Sequence, residues 1–142
     1  MNNQKNIVLC GVGGQGTVLA SKLLAAAAMS KDIPVMSAET IGMAQRGGSV
    51  FSHLRMGDNL YSPMIETGTA DLIIGFEPGE TVRMLPYLKD HGHIVVSTRA
   101  VKPVTATLSG SDYDAPQMLE YLKAAVPNLT LVNADQACAD IG

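Results

Sequence analysis

Tryptophan is absent from this 142-residue chain, the aromatic residues together make up 4%, and charged residues make up only 16%. A typical soluble domain carries about 25% charge, so the surface is short of ionic groups. Basic residues number 10 against 13 acidic, a net charge of -3. No run of Lys or Arg exists, which removes the electrostatic footprint of a nucleic-acid binder. There are only two cysteines, Cys10 and Cys138, and no CxxC. Two thiols neither build a disulfide framework nor supply the four ligands an iron–sulfur cluster takes. They suit a reducing cytoplasm, and each is explained as a small buried hydrophobe. Long apolar runs are also missing. The N-terminal stretch Ile7–Cys10 is too short for a signal peptide. The longest, Val18–Met29, contains Lys22 and falls below the ~20 residues of a membrane span.

What is present is a globular composition: 46% apolar residues, 14 glycines and 8 methionines. That excludes disorder, and the length is that of one domain. Residues 6–10 form a buried apolar run that predicts a strand, 11–16 a glycine turn, 17–30 a Leu/Ala-rich helix and 34–39 a second strand: a βαβ unit. Residues 49–56 have strand character, Gly57-Asp58-Asn59 is a turn, and 60–65 is expected to return as the second arm of an antiparallel hairpin. Pro63 puts that arm at an edge. The alternation then resumes with a strand at 71–76, a helix at 79–89 bent at Pro86, a strand at 94–97 and loop or short strand at 102–111. A helix capped by Asp114 with Gln117 follows, then a strand at 129–132 and a helix starting near Gln136. The fold class is α/β, with three α/β/α layers about a Rossmann-like mixed sheet and an inserted antiparallel hairpin.

Two motifs carry chemistry. Gly11, Gly13 and Gly16 fit GxGxxG between a strand and a helix, where free N–H groups favour an anion. Glu39 ends the next strand near the place of a ribose-binding acid. A stand-alone nucleotide- or NAD-binding module is therefore one reading; glycines that only let the helix pack tightly are the other. Gly14 and Gln15 leave the turn polar and poor in side chains. The second motif, Gln45-Arg46-Gly47-Gly48-Ser49, sets an Arg suited to carboxylate or phosphate in a loop otherwise without charge. Glu77 follows a strand at the end where open α/β sheets bind ligands. His91 and His93 read as a solvated turn, and His53 has no visible catalytic partner. The helix at 17–30 is apolar nearly all round, which implies cover from more than one side, such as another chain or a second copy.

Taken in order, Gly11–Gly16, Glu39–Val50, Tyr61–Pro63 and Ala70–Pro78 resemble the gamma-type subunit or domain of the 2-oxoacid:ferredoxin oxidoreductases, in particular those acting on indolepyruvate. The resemblance covers nearly the whole chain. It implies a complex that oxidatively decarboxylates a 2-oxoacid with coenzyme A, yielding acyl-CoA, CO2 and reduced ferredoxin. Thiamine diphosphate, Mg2+ and the iron–sulfur clusters would lie on a large partner subunit, with no cofactor and no catalytic residue on this chain. Gly11, Gly13, Gly14, Gln15 and Gly16 would face the coenzyme path. Gln45, Arg46, Gly47, Gly48, Ser49 and Glu77 would meet substrate or partner. The resemblance also implies that residues 1–142 are one gamma-type domain cut short at its C-terminus.

Overall fold

The structure is a computed structural model, and it describes residues 3–40 and 47–142. Six strands form one mixed sheet: β1 (Lys5–Val12), β2 (Val35–Glu39), β3 (Ser49–Met56), β4 (Ala70–Gly75), β5 (Leu88–Ser97) and β6 (Leu129–Val132). Their order across the sheet is β2-β3-β1-β4-β5-β6. The apolar run of β1 predicts burial on both faces, and Val8, Leu9 and Cys10 are indeed fully buried at the centre. β1, β4, β5 and β6 run parallel, while β3 is antiparallel to both β1 and β2.

The helices are α1 (Thr17–Met29), α2 (Pro78–Met84), α3 (Val104–Leu108), α4 (Ala115–Ala125) and α5 (Ala134–Ile141). Leu122 and Val126, at the end of α4, share the main core with Val8, Cys10, Ile73, Ile94 and Val96, and Val82 of α2 packs against the same cluster. α1 lies against β1, β2 and β3. Side chains alternate across a strand, so its face is the opposite one. Asp114 caps α4, its Oδ1 accepting the Gln117 N–H at 3.0 Å, and Asn133 caps α5 in the same way at 3.1 Å.

Five expectations are corrected. The inserted hairpin has only one arm in the sheet. β3 pairs with β1 and β2, and residues 60–65 form no strand. That segment is held by side chains instead: Ile65 N–H donates to His53 Nδ1 at 2.9 Å, and Arg55 Nη1 donates to the Ser62 carbonyl at 2.8 Å. Pro63 has no N–H to give a ladder. The β1–α1–β2 unit is split, because β3 inserts between its two parallel strands. The helix expected to reach residue 89 stops at Met84, a 3-10 turn follows at Leu85–Tyr87, and β5 begins at Leu88. Pro86 cannot donate to a continuing α-helix. Hence His91 and His93 lie inside β5 rather than in a turn, and residues 104–108 are the helix α3 rather than loop or strand.

Candidate functional site

The turn from β1 into α1 sits at the carboxyl ends of the parallel strands. Gly16 adopts φ 87°, a left-handed conformation that costs an L side chain roughly 1–2 kcal/mol. Gly11 is needed for space: a Cβ there would stand 2.8 Å from Gln15 Oε1 and 2.9 Å from Thr17 Oγ1. Gln15 is occupied internally. Its Oε1 accepts the Val12 N–H at 2.7 Å and its Nε2 donates to the Phe76 carbonyl at 3.1 Å. One amide thus ties the β1 turn to the end of β4.

The second motif meets the first. Gly13 N–H donates to the Gly48 carbonyl at 2.8 Å, and Gly47 N–H donates to the Gly13 carbonyl at 3.3 Å. Ser49 opens β3 opposite Val12, and its Oγ accepts from Arg83 Nη1 at 2.8 Å. Gln45 and Arg46 lie outside the described residues. Glu77 is fully buried and caps α2, its Oε2 accepting the Glu80 N–H at 2.9 Å, while Oε1 has no hydrogen-bond partner. It is therefore inside the fold rather than on a cavity wall. Burial pushes its carboxyl up to about 7, against the lowering effect of the Glu80 N–H.

Two open cavities flank the glycine turn. One, of about 530 Å³, lies over the ends of β1, β4 and β5 beside α5, between Gly13, Gly14, Gln15, Phe76, Ser97, Arg99 and Cys138. The other, of about 430 Å³, runs along the first turns of α1 past Gly13, Gly14, Gly16, Thr17 and Lys22. Helix starts carry partial positive charge and unpaired N–H groups. Lys22 lies along the α1 cavity, while Arg99 in the other is already paired with Asp135 of the same wall, Nη1 to Oδ1 at 3.1 Å, so the surroundings of the turn suit a polar extended ligand. Neither cation stood out in the sequence. Arg99 has a usable signal: it follows the carboxyl end of a parallel strand, the place where such sheets bind ligands.

Dinucleotide geometry is not met. β3 separates β2 from β1, so Glu39 stands two inter-strand spacings from the turn, roughly 10 Å rather than about 5. His53 is buried with Nδ1 accepting from Ile65 and Nε2 unpartnered, and burial lowers its pKa. Among the described residues around the turn no nucleophile–base pair is hydrogen-bonded together. Among the described residues no group of three or more His, Cys, Asp or Glu could hold a metal ion, and no helix is long and apolar enough to cross a membrane.

A family model described as pyruvate ferredoxin/flavodoxin oxidoreductase matches residues 6–142. An indolepyruvate oxidoreductase subunit IorB of Archaeoglobus fulgidus is 38% identical over 138 residues, covering 96% of this chain and 68% of the relative. Its counterpart in Pyrococcus horikoshii is 40% identical over 121 residues, 85% of this chain and 58% of the relative. Among solved structures, the pyruvate oxidoreductase subunit PORC of Thermotoga maritima superposes with a TM-score of 0.60 at 19% identity, over 92% of this chain and 62% of that one. The chain thus spans some three-fifths to two-thirds of the length of these proteins, and the structural likeness speaks for the fold.

Proposed function

This chain belongs to the pyruvate ferredoxin/flavodoxin oxidoreductase family, and on that premise we propose that it is the small, gamma-type subunit of a complex oxidising a 2-oxoacid. The substrate would be an arylpyruvate such as indolepyruvate, decarboxylated with coenzyme A to acyl-CoA and CO2 while ferredoxin is reduced. The observation that carries the reading is the hydrogen-bonded junction of Gly13 with Gly47 and Gly48, which joins the two motifs at one end of the sheet. The names of the relatives support the substrate class.

Thiamine diphosphate with Mg2+, supplying the carbanion chemistry of decarboxylation, and iron–sulfur clusters would reside on a larger partner subunit. This chain's cysteines do not suit a cluster: Cys10 is buried as expected, Cys138 is exposed on α5 rather than buried, and no further cysteine exists. Its own work is binding and shape. Gly11, Gly13, Gly14 and Gly16 keep side chains away from the turn, Gln15 fixes the turn's form, and the first N–H groups of α1 with Lys22 offer a seat for a phosphate of coenzyme A. Gln45 and Arg46, which precede Gly47–Ser49 in the sequence, would meet substrate or partner. Without its partner the chain would be inactive, and two unpaired thiols fit work in the cytoplasm.

Co-expression with the large subunit tests this. The two chains should co-purify, and 2-oxoacid-dependent ferredoxin reduction should need both. Arg46→Ala or Gln45→Ala should lower turnover about tenfold, or ~1.4 kcal/mol in the barrier. A chain that elutes alone and binds NAD, NADP, FAD or ATP in titration calorimetry would instead be a nucleotide-binding module.

A further inference from the structure

Another cavity lies away from the glycine turn, between α2, α3 and the start of α4. It holds about 410 Å³, within the roughly 300–1,000 Å³ usual for small-molecule sites. Glu80 of α2 stands in its wall, with only 3% of the residue exposed. Among the described residues its carboxylate has no hydrogen-bond or ion-pair partner. Unlike Glu77 Oε1, neither Glu80 oxygen is sealed from water, so the carboxylate faces the open space of the cavity. A carboxylate withdrawn this far from water is costly unless a cation meets it. Arg83 shares the wall, one helical turn on, yet it does not pair with Glu80: its Nη1 donates to Ser49 Oγ at 2.8 Å. Across the cavity, Tyr113 Oη accepts the Gly79 N–H at 3.3 Å, which leaves its own O–H to donate. Val82, Pro103 and Met118 make the rest of the wall apolar.

We propose that this cavity binds a free α-amino acid with an apolar side chain. Its ammonium group sits on the Glu80 carboxylate. Its carboxylate is received by the N–H groups of Arg83 that Ser49 does not use and by the Tyr113 hydroxyl, and its side chain lies against Val82, Pro103 and Met118. The unjoined charges carry the argument. Glu80 and Arg83 stand at i and i+3, about 5–6 Å apart at Cβ, a spacing at which an acid and a base ordinarily pair. Here they face one cavity separately, so a ligand bearing both charges completes each of them. A simple amine leaves the free Arg83 donors without an acceptor. A 2-oxoacid carries no cation and leaves Glu80 unpaired, so the site selects against the substrate class proposed above and is independent of that reading.

Titration calorimetry of the full chain with L-leucine and L-phenylalanine, each to ~10 mM, tests this. At least one should bind. Phenethylamine and 3-phenylpropanoate each lack one of the two charges and should bind at least tenfold more weakly than L-phenylalanine. Glu80→Gln keeps the shape of the side chain and should weaken binding at least tenfold, as should Arg83→Gln on the exposed side of the cavity. Urea unfolding checks that both variants fold, and where one does not, the analogue series decides alone. The absence of heat with either amino acid overturns the proposal. So does 3-phenylpropanoate binding as tightly as L-phenylalanine, or an affinity unchanged in folded Glu80→Gln. Binding that disappears when the large subunit is added overturns it as well, because a side chain of that partner is then the occupant. No turnover enters these measurements, so this proposal and the proposed function can fail independently.

Discussion

Glu77 should leave a signature in the pH dependence of stability. Its carboxyl is fully buried, one oxygen caps α2 and the other has no partner. Burial raises it from an ordinary 4.5 to about 7. The folded state therefore keeps this proton after the unfolded chain has released it. The stability it contributes is fully present below pH 4.5 and is lost as pH rises towards 7. At ~1.4 kcal/mol per pH unit the loss amounts to about 3 kcal/mol. His53 works in the opposite direction. Buried and lowered from 6.5, it stays neutral in the fold, so its contribution is lost as pH falls below that value. The two windows overlap, and the raw profile of the wild type conceals both. The difference between wild type and Glu77→Gln removes His53 from the comparison. Urea unfolding of both proteins at pH 5 and pH 8 should show the variant gaining about 2.5 kcal/mol relative to wild type at the higher pH. Parallel profiles would refute the reasoning, because they would mean that the Glu77 carboxyl ionises alike in folded and unfolded chains.

Gln15→Ala strands the Val12 N–H and the Phe76 carbonyl, and urea unfolding should show a loss of about 1–3 kcal/mol. Gly16→Ala meets no atom within 4 Å but must hold φ at 87°, so it should cost about 1–2 kcal/mol, with Gly16→Asn milder because Asn tolerates that conformation. Gly11→Ala, by contrast, forces Gln15 and Thr17 aside and should cost more than Gly16→Ala in the same denaturation series. Asp114→Ala removes the α4 cap and should lower stability by about 1 kcal/mol, measured by thermal melting.

Much of the fold was legible because burial writes itself into composition. The apolar strands, the glycine turn and the cap Asp114 all depend on neighbours close in sequence. Strand pairing does not. Residues 60–65 have strand character, yet the partners that decide their fate are side chains, the His53 ring and the Arg55 guanidinium, and no periodicity displays such contacts. The same limit hid the role of Glu77. As a residue after a strand it points to a ligand site, but its position just before Pro78 and Gly79 makes it a helix cap, and capping draws it inward.

The joining of the two motifs follows from one feature of the sheet, the direction of β3. Thirty-odd residues separate Gly13 from Gly48, and a third strand parallel to β1, as in a dinucleotide-binding fold, would enter the sheet at the amino end of β1. Gly47–Ser49 would then lie a full strand length from the glycine turn, about 25 Å for eight residues at ~3.3 Å each. Because β3 is antiparallel to β1, it begins where β1 ends, with Ser49 opposite Val12. The same insertion carries Glu39 away from the turn and so dismantles a ribose site while it builds the glycine junction. The departure from the Rossmann order and the proximity of the motifs are thus one structural event, and a GxGxxG in this strand order cannot be given the meaning it has in the parallel one.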